Sequence, residues 1–504
     1  MTAAFHRAIW TKHSALLAIF VLAVILMLPA FVRPPIFRDS WWIDIVWSEQ
    51  FTQALLHGNL YPRWLPNSYD GLGAPVFYFY PPGAFYLTAL GGLIGLGTYQ
   101  SLLMAFFLSL CASGIGTWYF LRDWTPRPLV GAGFLLIAPY HLYDIYWRGA
   151  LAECVASALL PFLAMALCRA ASHRGFVWLA FAYAALVMTH MPLALITSTM
   201  FVAPYCLWRI ANDRSAVWPL AKGLALGLGL AAVYLIPALG LQDYIAINQL
   251  WHASGFQPES WSVWHPSRWP LPDFQIIILV IVANIILASI ILGYRDRSFW
   301  TCWTIGCCLL AIGALPYFWT LPLLNQIQFP WRAMALVEFG FVILLARSRL
   351  GPVWISAMVA PLLVISFAVL TPVKASTETT FETLKAYPDV SEYLPAGMRG
   401  ITSIYWLPPA SLAREGFPLE QRDGVTSLRI FYFPSWVAIC PGGPVKTFPD
   451  PDTRLLTYVG HDCTPRLRYT VQERTGAAIS GLALLLAFAA ALHSRLRART
   501  RSTE

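Results

Sequence analysis

The chain has 504 residues, 58% of them hydrophobic and 12% charged, with a formal charge of +9. That much apolar side chain over such a length excludes a soluble globular protein and implies many membrane crossings. The positive charge does not point to nucleic acid, because its arginines and lysines cluster in short loops and no RNA- or DNA-binding motif accompanies them.

The apolar runs are long and do not alternate, which predicts transmembrane helices rather than barrel strands. Twelve are expected, at 14–32, 100–121, 128–143, 150–168, 175–190, 193–208, 220–241, 273–294, 299–320, 333–347, 353–371 and 476–493. The first is too long for a removable signal peptide and has no small-residue cleavage site, so it reads as a retained span. With the N-terminus in the cytoplasm, these twelve place the basic clusters on the inner side of the membrane. Those clusters include Arg7 with Lys12, Arg122 with Arg127, Arg169 with Arg174, Arg295 with Arg297, and the tail from Arg495 to Arg501. The C-terminus then also lies inside.

A further apolar stretch at 78–97 would invert every later loop if it crossed. It reads as a re-entrant or interfacial helix within a long first outer loop, 33–99, and contains Pro81, Pro82 and several glycines. The remaining outer pieces are 144–149, 242–272 and 372–475. The last is polar and proline-rich, with strand-like runs SLRIFYFPSWVAIC and RLLTYVG, and predicts a small β-rich domain outside the membrane. The fold class expected is therefore a polytopic all-α membrane protein of about twelve helices with an extracytoplasmic β-rich domain. Residues 1–371 would form the membrane domain, and 476–504 the last helix and a basic cytoplasmic tail. Of nine cysteines, only Cys440 and Cys463 fall in the outer domain; they are expected to pair if that compartment is oxidising.

The residues suited to chemistry gather at the outer face. Asp39 and Asp44 follow the first span closely; a carboxylate at the bilayer edge can act as a general base or help to hold a metal. A solvated loop acid is the plainer reading of either one alone. In YDIYWRGALAEC, Glu153 stands about one turn into the membrane, where charge is costly unless paired or wetted. It is either paired locally with Arg148 or set across a cavity from Asp44. Arg332, in NQIQFPWR, suits bidentate contact with a phosphate, as equally it suits an interfacial anchor, and Gln328 would add a hydrogen bond. His190, in VMTHMP, sits at an outward turn and is a structural or a substrate-binding histidine. Glu338 lies within the membrane and calls for an internal partner. Asp243, His252 and His265 carry no spacing that identifies a metal site.

These pieces together resemble the GT-C class of membrane glycosyltransferases. The shared order is an acid in the first outer loop, an outer helix with a Tyr-Pro start at Tyr80, and a second acidic motif after the third span. HLYDIYWRGALAEC looks like the second-loop acidic motif of oligosaccharyltransferase catalytic subunits, with Glu153 at the acid position and standing alone rather than in a two-acid pair. Within the class, LLHGNLYPRW, GLGAPVFYFYPP, YWRGALAE, THMPLAL, QFPWR and YFPSW are similar to the bacterial "6-pyruvoyl-tetrahydropterin synthase-related membrane domain" group, over nearly the whole chain. Nothing in the chain resembles a soluble pterin enzyme.

The resemblance implies transfer of a sugar from a polyprenyl-phosphate donor to a glycan or lipid acceptor at the outer face of a bacterial inner membrane. Asp44, Asp39 and Glu153 would be the catalytic candidates, and Arg148, Arg332, Gln328, His190 and Tyr80 the substrate-binding ones. The class admits a divalent cation such as Mg or Mn as cofactor. Two other functions stay open on these residues: a transporter or flippase of lipid-linked glycans, and a non-catalytic membrane scaffold.

Overall fold

The computed structural model describes residues 12–32, 39–172, 175–247, 255–293, 298–370, 389–398, 421–422 and 424–500, with side chains given as far as Leu492 except at 421 and 422. Stretches 372–388 and 399–420 of the expected outer domain lie outside these residues, as do Arg7, Arg174, His252, Arg295 and Arg297.

Among the described residues, eight helices are long and apolar enough to cross a membrane. They are Lys12–Val32, Thr98–Leu121, Pro128–Arg148, Leu151–Cys168, Met191–Asn212, Pro272–Gly293, Pro352–Leu370 and Val471–Leu492. A ninth span would be the pair Arg214–Leu230 and Ala232–Gly240, bent by 65° between them. The expected spans at 175–190, 299–320 and 333–347 are helices too, but shorter: Gly175–Val187, Phe299–Ala311 and Met334–Arg347. At 1.5 Å of rise per residue, 13 or 14 residues cover about 20 Å of a hydrocarbon core about 30 Å thick. Turns at Thr189–His190, Gly313 and Pro330–Ala333 end or begin them early.

Met334–Arg347 is buried on all sides from Met334 to Ala346, which accounts for its lack of a polar face. By contrast, Lys12–Val32 leaves Leu17, Ile25, Phe31 and Val32 exposed, as a helix facing lipid does. The stretch at 78–97 holds the helix Gly83–Leu93, whose 11 residues are too few to cross. It packs between the outer helix Trp41–Leu56 and the span Thr98–Leu121.

Outside the helices, six antiparallel strands form one sheet in the order β1-β2-β5-β4-β3-β6, with β1 Gln421–Arg422, β2 Val425–Phe431, β3 Trp436–Cys440, β4 Gly443–Pro449, β5 Leu455–Val459 and β6 Thr464–Leu467. Both expected strand-like runs lie in it, and a disulfide joins Cys440 to Cys463. The sheet docks on the first outer loop through aromatic rings. Tyr78 and Trp64 meet Phe433 and Trp436 at centroid distances of 4.6 and 5.3 Å, and the Phe431 amide donates to the Leu72 carbonyl at 2.8 Å.

The last helix is tied to the same loop. Thr470 and Glu473 cap its start reciprocally: the Glu473 amide donates to Thr470 Oγ1 at 3.2 Å and the Thr470 amide to Glu473 Oε2 at 2.6 Å. Glu473 Oε1 also lies 3.3 Å from the buried Arg63 guanidinium, which rests over the Tyr61 ring.

Candidate active site

The site is built where one membrane crossing breaks. The helix Pro128–Ile137 stops at Ala138, because Pro139 has no amide to continue the ladder. A five-residue helix, Pro139–Tyr143, runs into a π-turn, Asp144–Arg148, and Gly149 reverses direction before the helix Leu151–Cys168 starts. Such a break leaves amides without partners in an apolar interior. Glu338 supplies them: its two carboxylate oxygens accept from Tyr140 N at 2.7 Å and His141 N at 3.2 Å. The internal partner expected for Glu338 is thus a pair of backbone amides.

The first outer loop locks onto the same turn. Asp44 Oδ2 accepts from the Leu151 amide at 3.0 Å, so it caps a helix 107 residues further along the chain. The Ser40 amide donates to the Arg148 carbonyl at 2.9 Å. Gly149 has φ +62°, and a Cβ there would stand 2.2 Å from the Trp41 ring, so the turn fits only a residue with no side chain.

Arg148 lies at the centre of this junction. Its Nε donates to Asp39 Oδ2 at 2.9 Å, and its Nη1 to Asp144 Oδ1 at 2.6 Å and Glu153 Oε2 at 2.8 Å, while Trp331 stacks on the guanidinium at 4.7 Å. Glu153 is engaged on both oxygens. Tyr140 Oη donates to Oε1 at 2.6 Å, and Arg332 Nε lies 3.3 Å from Oε2 in an ion pair without hydrogen-bond alignment. Three carboxylates therefore share two arginines, an arrangement in which each buried charge depends on its partners. Of the two arrangements open for Glu153, the local pair with Arg148 is the one present. Glu153 does not face Asp44 across a cavity; it lies behind Arg148 and Arg332, only 1% exposed.

In front of the arginines is a cavity of about 1210 Å³. Asp39, Asp44, Tyr80, Arg148, His190, Gln328 and Arg332 all line it, so seven of the eight candidate residues share one space. Arg332 is spread over the Phe329 ring at 4.9 Å, and its Nη1 donates to Gln328 Oε1 at 3.3 Å. His190 Nδ1 accepts from the Leu193 amide at 3.3 Å, which places the proton of the neutral ring on Nε2. The two first-loop acids differ sharply. Asp39 is 50% exposed and held by Arg148, whereas Asp44 is 3% exposed and burial pushes its carboxyl up to about 8.

Several participants were not singled out from the sequence. Asp144 is signalled there only by its four-residue spacing from Arg148. Tyr140 and Trp331 gave no signal beyond being aromatic. The segment 389–398 also reaches the cavity. Its backbone pairs with 244–246 through Ala246 N to Leu394 O at 2.8 Å and Ala396 N to Tyr244 O at 3.0 Å. Trp47 Nε1 donates to Asp389 at 3.2 Å, and Glu392 and Tyr393 line the cavity. Among the described residues, the acids that meet around Arg148 are already committed to arginines. Asp39, Asp144 and Glu153 already hold guanidinium groups, and among the described residues no group of three or more His, Cys, Asp or Glu is placed to share an ion.

No family model matches the chain, and no curated protein does. Among solved structures it is similar to the arabinofuranosyltransferase AftD from Mycobacteria, with TM-score 0.45 and 18% identity over 70% of this chain and 26% of that one. It is also similar to ArnT from Cupriavidus metallidurans bound to undecaprenyl phosphate, with TM-score 0.33 and 15% identity over 75% of this chain and 88% of that one. The chain thus spans 26% of the length of AftD. Likenesses this distant carry no argument about the activity of this chain.

Proposed function

We propose that the chain is a membrane glycosyltransferase that moves a sugar from a polyprenyl-phosphate donor to an acceptor hydroxyl at the outer membrane face. The observation that supports this best is the make-up of the cavity. Its lining combines the polar side chains of Arg332, Gln328 and His190 with the apolar ones of Leu195, Ile277, Ile278, Ile281, Ile365 and Val369. An anionic head on a long hydrocarbon tail is the chemistry that suits both at once.

Arg332 holds the phosphate, helped by the Gln328 amide and by His190 Nε2–H. Arg148 is engaged by three acids, and its role is to hold Asp39, Asp144 and Glu153 in place beside the phosphate site. The acceptor hydroxyl gives its proton to Asp44, or to Asp39 as the second candidate. The freed oxygen attacks the anomeric carbon, the bond from that carbon to the phosphate oxygen breaks, and polyprenyl phosphate leaves with the electron pair. A single displacement of this kind inverts the anomeric centre. Tyr80 lines the cavity beside the reacting groups.

The test is binding of radiolabelled polyprenyl phosphate to the purified protein in lipid nanodiscs. Arg332→Gln should weaken it about tenfold or more, the loss expected for one charged hydrogen-bonding partner. Undiminished binding, or none in the wild type, would remove the phosphate site and with it this reading.

A further inference from the structure

Arg332, Gln328 and His190 account for a phosphate, but not for the rest of the cavity. Glu392 lines the same space as Arg332 and Asp44, and among the described residues it joins none of the ion pairs that engage Asp39, Asp144, Glu153 and Glu473. Its position is well held. Asp389 takes the Trp47 indole and the Val390 amide, the Tyr69 hydroxyl donates to the Val390 carbonyl, and Pro395 bridges to Ile245. A carboxylate on a segment pinned at both ends, lining the cavity and joined to no arginine in any of these ion pairs, is placed to accept hydrogen bonds from a neutral ligand.

The surfaces around it are aromatic. Phe79 and Tyr393 lie face to face with ring centroids 6.4 Å apart, and both line the cavity. Trp47 meets Tyr393 at 5.8 Å and Tyr80 at 5.2 Å, so one aromatic wall runs from Glu392 to the neighbourhood of Asp44, which is on the same helix as Trp47. Flat apolar faces beside an acceptor of hydroxyl protons match a pyranose or furanose ring, which presents C–H groups on its faces and O–H groups around its edge.

We infer that Glu392, with Phe79, Tyr80 and Tyr393, forms a carbohydrate subsite that takes the acceptor as a glycosyl unit rather than a lipid alone. This rests on the glycosyltransferase reading and narrows its acceptor to one carrying a sugar. Glu392 accepts from two ring hydroxyls, and the aromatic wall directs a third towards Asp44.

The probe is a printed array of bacterial-type oligosaccharides, read with full-length protein in nanodiscs, with radiolabelled polyprenyl phosphate bound in parallel on the same samples. Wild type should retain a defined subset of glycans. Glu392→Gln, of the same shape but with one acceptor replaced by a donor, should lose about tenfold in glycan affinity while polyprenyl phosphate still binds. Tyr393→Phe, which keeps the ring, should keep glycan binding. No glycan retained by the wild type, or equal retention by Glu392→Gln, overturns the subsite. If Glu392→Gln loses both ligands, the segment is structural and the subsite is likewise overturned. Glycan binding without polyprenyl-phosphate binding in the wild type would leave the subsite standing and defeat the donor reading instead.

Discussion

At the scale of single residues, Asp44 combines two duties. One carboxylate oxygen caps the Leu151 amide, and the side chain lines the cavity. Burial raises its carboxyl from an ordinary value near 3.8 to about 8, because the charged form loses its hydration. A base must be ionised to take a proton, so donor turnover should rise with pH and level off above about 8. Stability runs the other way: a raised carboxyl pKa favours the folded state at low pH, and that contribution is lost as pH rises through about 8. Asp44→Asn keeps an oxygen for Leu151 and should fold, yet lose turnover about a hundredfold or more. A rate independent of pH across this range, with Asp44→Asn still active, would move the role to Asp39. That two acids closely follow the first apolar span was legible in the sequence. The burial of Asp44 was not, because burial is set by Leu151 and the Arg148 turn, over a hundred residues away.

Among elements, the broken crossing from Pro128 to Leu151 decides the site. Pro139 and Gly149 mark it in the sequence as a place where a helix cannot run straight. What makes the break tolerable is Glu338, 198 residues beyond Tyr140, and no local pattern announces that partnership. Gly149→Ala should destabilise the protein by about 1–3 kcal/mol, through the positive φ and the overlap with Trp41. The check is the thermal midpoint in detergent, with Trp41→Ala as the second arm of a double-mutant cycle. If the turn is built as described, the overlap part of the cost shrinks when Trp41 is shortened. Equal losses in both backgrounds would mean that the ring does not set the turn.

For the whole molecule, the outer sheet and the last helix close over the first loop, joined by the Tyr78–Phe433 and Trp64–Trp436 contacts and by the Arg63–Glu473 pair. Peptide mapping without reduction should recover Cys440 linked to Cys463 and the other seven cysteines as free thiols. Cys440 found free in exported protein would refute the link. The sequence by itself determined that this is a many-helix membrane protein, where most helices run, and that a small β-rich piece accompanies them. Those properties follow from hydrophobic runs and alternation, which are local. It also picked out Asp44, Arg148, Arg332 and Glu153, since charge next to hydrocarbon is conspicuous. Only the tertiary structure decided which acids pair with which arginines, that three expected spans fall short of a bilayer's width, and that residues 389–398 return to the cavity with Glu392. Pairing depends on contacts between segments far apart in the chain, and a composition or a period carries no record of them.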